Sequence, residues 1–170
     1  MYDREDIDEF HFKMEKIISE NDAKEAFCKI VRELEDCEDK YLTELMGSLN
    51  YIQYEPVLDW IEENAGRPKS ISQLWGHLAA SSKFNWERGK KWLESGRPLS
   101  LIALDAIMFC TTKDERVNQS PWMREINPQL PLETDEVEMV KALKEYLIKD
   151  KVPRTKNVIN KIIENIFEIE

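Results

Sequence analysis

NWERGKKWLESGRPLSLIALDAIMFC, residues 85–110, reads as two helices joined by the turn Ser95-Gly96-Arg97-Pro98. Glycine closes a helix in the left-handed conformation without a Cβ penalty. Proline two residues on suits the first turn of the next helix, where its missing N–H has no partner to lose. The phrase has an earlier copy, Trp60-Ile61-Glu62-Glu63-Asn64-Ala65-Gly66-Arg67-Pro68-Lys69-Ser70-Ile71. Aligned on Gly-Arg-Pro, Ser70 meets Ser100, Ile71 meets Leu101, Leu74 meets Leu104 and Leu78 meets Met108, a spacing of 30 residues. The chain therefore contains a duplicated helical hairpin.

Helices are expected on either side of it. Ile7, Phe10, Met14, Ile17 and Ile18 form one apolar stripe, predicting a helix over 6–19. Asp22 and Glu25 have the spacing of a capping box ahead of a second helix, on which Ala26, Phe27, Ile30, Val31 and Leu34 share a face. A third follows with Leu42, Leu45, Met46 and Leu49 inside, and the two copies span helices over 56–64, 70–80 and the opening stretch. Leu99, Leu101, Ile102, Leu104, Ile107, Met108 and Phe109 make the second helix of that stretch apolar almost all round, so it belongs at the centre of the fold. Trp122, 30 residues after Trp92, marks a fainter third copy in a short helix over 121–126. A further helix over 135–149 buries Val137, Val140, Leu143 and Leu147, and a last one from Thr155 buries Ile159, Ile162, Ile163, Ile166 and Phe167.

These elements predict an all-α protein of about ten helices in stacked antiparallel hairpins, with an irregular helical bundle as the alternative. The stacking of a repeated hairpin is the architecture of an α-solenoid. Over roughly residues 55–148, the Gly-Arg-Pro turn and its apolar spacing resemble the HEAT and armadillo group of helical repeats. The resemblance implies an extended concave surface for binding another protein. One domain over 1–170 is expected, with acidic N-terminal helices over 1–54, hairpin repeats over 55–148 and a capping helix over 149–170.

Composition limits the functions open to such a fold. The 170 residues carry a net charge of −10, spread unevenly. Residues 1–64 hold 19 acids against 7 bases, whereas residues 65–130 hold 6 acids against 10 bases. The acidic third repels nucleic acid and anionic membrane and attracts a basic partner. No apolar run approaches the roughly 18 residues of a membrane span, and the acidic start has the wrong charge for a signal peptide. Three cysteines without paired spacing fit a reducing cytoplasm. Two histidines, His11 and His77, with no ligand spacing predict no zinc, and five isolated glycines predict no phosphate-cradling loop. No cofactor is expected. Cys28 and Cys110 read as small buried hydrophobes on apolar faces.

Two surfaces stand out. Asp36, Glu38, Asp39 and Glu44 cluster within nine positions and form the expected partner-binding face, joined by Trp122 and Arg116 in the irregular stretch after Thr111. Long irregular stretches and Trp anchors are common at interfaces. The alternative site is Asp105, a lone acid in the apolar helix, with Arg88, Lys90 and Lys91 interleaved with Trp86 and Trp92. Such a basic-aromatic patch could hold a phosphate backbone or stack a base, as a helical-repeat DNA-repair enzyme would. Without such a role, Asp105 is expected to pair with Arg67 or Arg97. The favoured reading is a non-enzymatic protein-binding module, an acidic inhibitor or immunity-type protein for a basic partner.

Overall fold

The structure, a computed structural model, describes residues 4–36, 38, 41–52, 54–65, 72–111 and 136–167. Among these the protein is all-helical, with nine helices and no strand. They are α1 (Arg4–Glu20), α2 (Ala23–Asp36), α3 (Leu42–Ile52), α4 (Val57–Asn64), α5 (Ser72–Ser81), α6 (Trp86–Ser95), α7 (Leu99–Thr111), α8 (Glu136–Lys149) and α9 (Pro153–Phe167). The short helix expected over 121–126 lies outside the described residues, as do Gly66 and Arg67 of the first copy's turn.

Local chemistry sets several of these ends. The Asp22 carboxylate accepts the Glu25 N–H at 2.8 Å, satisfying a donor that the first turn of α2 would otherwise leave bare. Asn85 does the same for α6 through the Arg88 N–H at 2.9 Å. Pro153 opens α9 instead of preceding it, because proline at the first helical position sacrifices no hydrogen bond. The turn after α6 departs from the expected left-handed cap. Gly96 has φ 76° but ψ −176°, an extended form of positive φ that is essentially confined to glycine. The Arg97–Pro98 peptide is cis. The Gly96 carbonyl accepts the Ser100 N–H at 2.9 Å, and Pro98 leads directly into α7.

Packing proceeds between neighbours. α1, α2 and α3 contact one another, and α3 then packs on α5. α4 lies on α5, α5 on α7, α6 on α7, and α9 on both α7 and α8. α7 therefore meets helices on several sides, as its apolar circumference requires, and buries Ile102, Leu104 and Ile107. The α5–α7 crossing is close because Gly76 has no side chain. A Cβ there would drive deep into the Asp105 Cβ and come within 3.3 Å of the Ala106 nitrogen. Aromatic contacts tie the N-terminal helices to the hairpin: Phe27 lies edge-on to Trp60, which stacks on Trp75 at 5.3 Å between centroids.

Two expected burials are not found. Val137 is 71% exposed, since α8 turns Met139, Val140 and Leu143 inward and residue 137 falls off that stripe. Cys28 is exposed, because α2 buries Ala26 and Ile30 and residue 28 points away between them.

Candidate functional site

The basic-aromatic patch on α6 is occupied by the protein's own acids. Arg88 Nη1 donates to Asp59 Oδ1 at 2.8 Å and to Glu62 Oε1 at 2.9 Å. Lys91 Nζ reaches the same Glu62 oxygen at 3.4 Å, and Lys90 pairs with Glu138 of α8 at 3.2 Å. The indole N–H of Trp92 donates to Glu62 Oε1 at 2.7 Å. One carboxylate oxygen on α4 thus receives three donors from α6. Burial pulls the Glu62 pKa upward, but the Trp92 and Arg88 hydrogen bonds outweigh it and hold the carboxyl below its ordinary value. Arg88 is affected in mirror image: burial lowers its pKa, and the bonds to Glu62 and Asp59 raise it by more.

Glu62 and Trp92 lie 30 residues apart in the sequence, so this bond fastens α4 to α6. Trp92 is fully buried and Trp86 nearly so, which leaves neither ring a face for stacking on a base. The sequence reading singled out the cations and aromatics here and missed their acceptor. Its signal was available: Glu62 stands at the place Trp92 takes in the second copy.

Asp105 and Arg97 do not meet. Arg97 donates through Nε and Nη2 to Asp150 Oδ2 at 3.1 and 2.8 Å. The Tyr146 hydroxyl lies within hydrogen-bond distance of both that oxygen, at 3.1 Å, and Ser100 Oγ, at 2.8 Å. The Arg97 hydrogen bond holds the Asp150 carboxyl below the ordinary carboxylate range. The turn arginine therefore ties α8 to the start of α7, and the expected Asp105–Arg97 pair is corrected. Asp105 makes no ion pair or hydrogen bond among the described residues. Burial raises its pKa, opposed in part by the charge of Arg154. His77 of α5 packs against Phe109 of α7 at 4.3 Å between centroids, and burial lowers its pKa. The Cys110 thiol is pushed up to about 12 by burial, far from a reactive thiolate.

Of the expected acidic face, Asp36 ends α2, Glu44 lies in α3, and Glu38 is exposed between those helices. Asp39, Arg116 and Trp122 lie outside the described residues. Exposed acids also extend along the first two helices, with Asp8, Glu9, Glu15 and Glu20 on α1 and Glu25 and Glu35 on α2. Between α1 and α3 opens a groove of about 250 Å³. Met14 forms its floor, Ile18 and Tyr51 its walls, and a contact of His11 Nε2 with Glu15 Oε1 at 3.1 Å its edge. Tyr51 is 46% exposed, and Phe12, outside the lining but one turn before Glu15 on α1, is 68% exposed.

A second, larger groove of about 580 Å³ lies beside the Arg97–Asp150 pair, floored by Leu93, Ala142 and Tyr146. Its rim mixes Lys90, Lys149 and Lys151 with Glu94 and Glu145.

Comparison of the chain with protein-family models, curated proteins and solved structures finds no match. Among the described residues, no helix is long and apolar enough to cross a membrane. No group of three or more His, Cys, Asp and Glu side chains is placed among them to hold a metal ion.

Proposed function

We propose that the chain is a non-enzymatic protein-binding module whose acidic N-terminal third covers a basic partner, in the manner of an inhibitor or immunity protein. The observation that carries the reading is the different fate of charge in the two halves. The cations of α6 are consumed internally by Asp59, Glu62 and Glu138. Asp8, Glu9, Glu20 and Glu35 of α1 and α2 are exposed and make no ion pair among the described residues. That pairing weighs against a nucleic-acid reading centred on Asp105 and Arg88–Lys91. A phosphate backbone would have to displace carboxylates already bonded to those cations, and Trp86 and Trp92 are buried.

The scaffold that goes with this reading is a short α-solenoid of the HEAT or armadillo kind. In its favour are the 30-residue repeat and the order of contacts, in which α3, α5, α7 and α9 succeed one another while α2, α4, α6 and α8 pack on their following helices. Such stacking leaves an elongated surface for a partner.

The test is affinity capture from the source cell extract at low and high salt, with two variants. Changing Asp36, Glu38, Asp39 and Glu44 to Lys should abolish capture while helical circular dichroism persists. Changing Lys90 and Lys91 to Gln, with Arg88 left to hold Glu62, should leave capture intact. Charge-steered association should also weaken steeply with salt. Capture of nucleic acid, or loss of capture only in the Lys90 and Lys91 variant, refutes the proposal.

A further inference from the structure

The seam between α1 and α3 combines charge with shape. Its groove of about 250 Å³ is smaller than the roughly 300–1,000 Å³ of small-molecule sites, and suits one or two anchoring side chains. Its walls come from two helices, the arrangement that receives an amphipathic helix laid along it. Tyr51 stands exposed in its lining and Phe12 stands exposed on α1 one turn before the lining residue Glu15, and aromatics of this kind dominate binding energy when a partner covers them.

The rim selects the sign of that partner. At helical spacing, Asp8 lies one turn before Phe12 and Glu15 one turn after it, so both flank the ring. Glu5 and Glu9 extend the exposed strip, which among the described side chains also carries Lys16. Lys13, on the other flank, is held by Glu33 of α2 at 2.8 Å. The larger groove beside Arg97 has no such preference, since its cations and acids nearly balance.

We infer that the α1–α3 groove docks an amphipathic helix of a basic partner protein, seating an apolar side chain between Ile18 and Tyr51 and setting Lys or Arg against Asp8 and Glu15. The inference rests on the reading of the acidic third as a partner-binding face and gives that face a location and an occupant. A helix bearing acids on its polar face is repelled by the same rim. Covering Phe12 and Tyr51 supplies the affinity, while the rim charges set the approach and its salt dependence.

The experiment titrates the isotopically labelled full chain with three synthetic peptides and follows backbone amide shifts. One peptide is an amphipathic helix with Lys and Arg on one face and Leu on the other. The second has the same composition scrambled, and the third carries Glu in place of Lys and Arg. The first should bind and shift amides of α1 and α3 around Ile18 and Tyr51, and the third should not bind. Scrambling the peptide, or substituting Phe12→Ser or Tyr51→Ser, should each weaken binding by about tenfold or more. Asp8→Lys with Glu15→Lys should weaken it and remove most of its salt dependence. Absent binding, equal affinity for the scrambled peptide, or indifference to Phe12→Ser overturns the inference. If the basic helix binds elsewhere on residues 4–65 with its charge dependence intact, the groove assignment falls and the acidic-face reading stands. If the Lys/Arg and Glu peptides bind alike, both fall.

Discussion

Substituting alanine at Gly76 and at Gly47 should have effects of opposite sign, although both glycines lie inside helices. In an open helix interior the change is favourable by roughly 0.8–1 kcal/mol, because alanine loses less backbone freedom on folding. Gly47, in α3, has nothing within 4 Å of a Cβ, so that gain should be realised almost in full. Gly76 faces the Cβ and backbone of Asp105 and the nitrogen of Ala106, none of which can swing aside. α5 and α7 must therefore move apart. A gap of about 0.5–1 Å forfeits a quarter to a half of each dispersion contact across it, and a buried leucine makes some 40–60 such contacts at about 0.1–0.2 kcal/mol. Leu78 and Leu104 lie in the core between these helices, and loosening their contacts across the crossing costs about 3 kcal/mol, at the top of the range for overpacked cores. Subtracting the helix gain leaves Gly76→Ala less stable by about 2 kcal/mol, a fall in Tm of roughly 4–8 °C for a chain of this length. Gly47→Ala should rise by about 1–4 °C. Urea unfolding followed by far-UV circular dichroism measures both. Adding Asp105→Gly to Gly76→Ala should recover part of the loss, giving a double-mutant coupling of about 0.5 kcal/mol or more. If Gly76→Ala matches or exceeds wild-type stability, α5 and α7 do not cross where the reasoning puts them.

Other perturbations test the remaining devices. Gly96→Ala should cost about 1–3 kcal/mol from backbone conformation alone, since a Cβ there meets no atom within 4 Å; an unchanged urea midpoint would rule out positive φ at that turn. Asp105→Asn should raise the unfolding midpoint at pH 7. A carboxyl with a raised folded pKa favours folding when protonated, and that contribution is lost as pH rises through the ordinary value of 3.8 and on to the raised one. The advantage of Asn should therefore vanish well below pH 3.8, and destabilisation at pH 7 would reveal a partner for the carboxylate. Arg97→Leu should instead destabilise, because it strips the charged donor from Asp150, whose side chain is only 10% exposed. His77 should make the protein less stable as pH falls below 6.5. Its buried imidazole resists protonation, so the unfolded chain binds more protons between 6.5 and the lower folded pKa. His77→Gln should flatten the stability profile from about pH 7 to about pH 5, and an unaltered slope would place the charge change elsewhere.

Helical periodicity alone was enough to specify the all-α class, the positions of most helices and the central place of α7. An apolar face repeating every 3.6 residues, and a helix apolar on all sides, each admit few arrangements in water. The turn between α6 and α7 was likewise legible from Gly96-Arg97-Pro98, and the Asp22 and Asn85 ends follow from side chains a few residues away. What no local pattern contained was the partner of each charge. Arg88 finds Asp59 and Glu62 from 29 and 26 positions away, Arg97 finds Asp150 across 53, and the Asp105 carboxylate is left without a bond among the described residues. The α1–α3 groove is of the same kind: Ile18 and Tyr51 belong to separate, ordinary amphipathic helices and become walls only when those helices pack. Periodicity is a property of one helix and survives in the linear text. Ion pairs and grooves depend on the relative placement of helices distant along the chain, which packing alone decides.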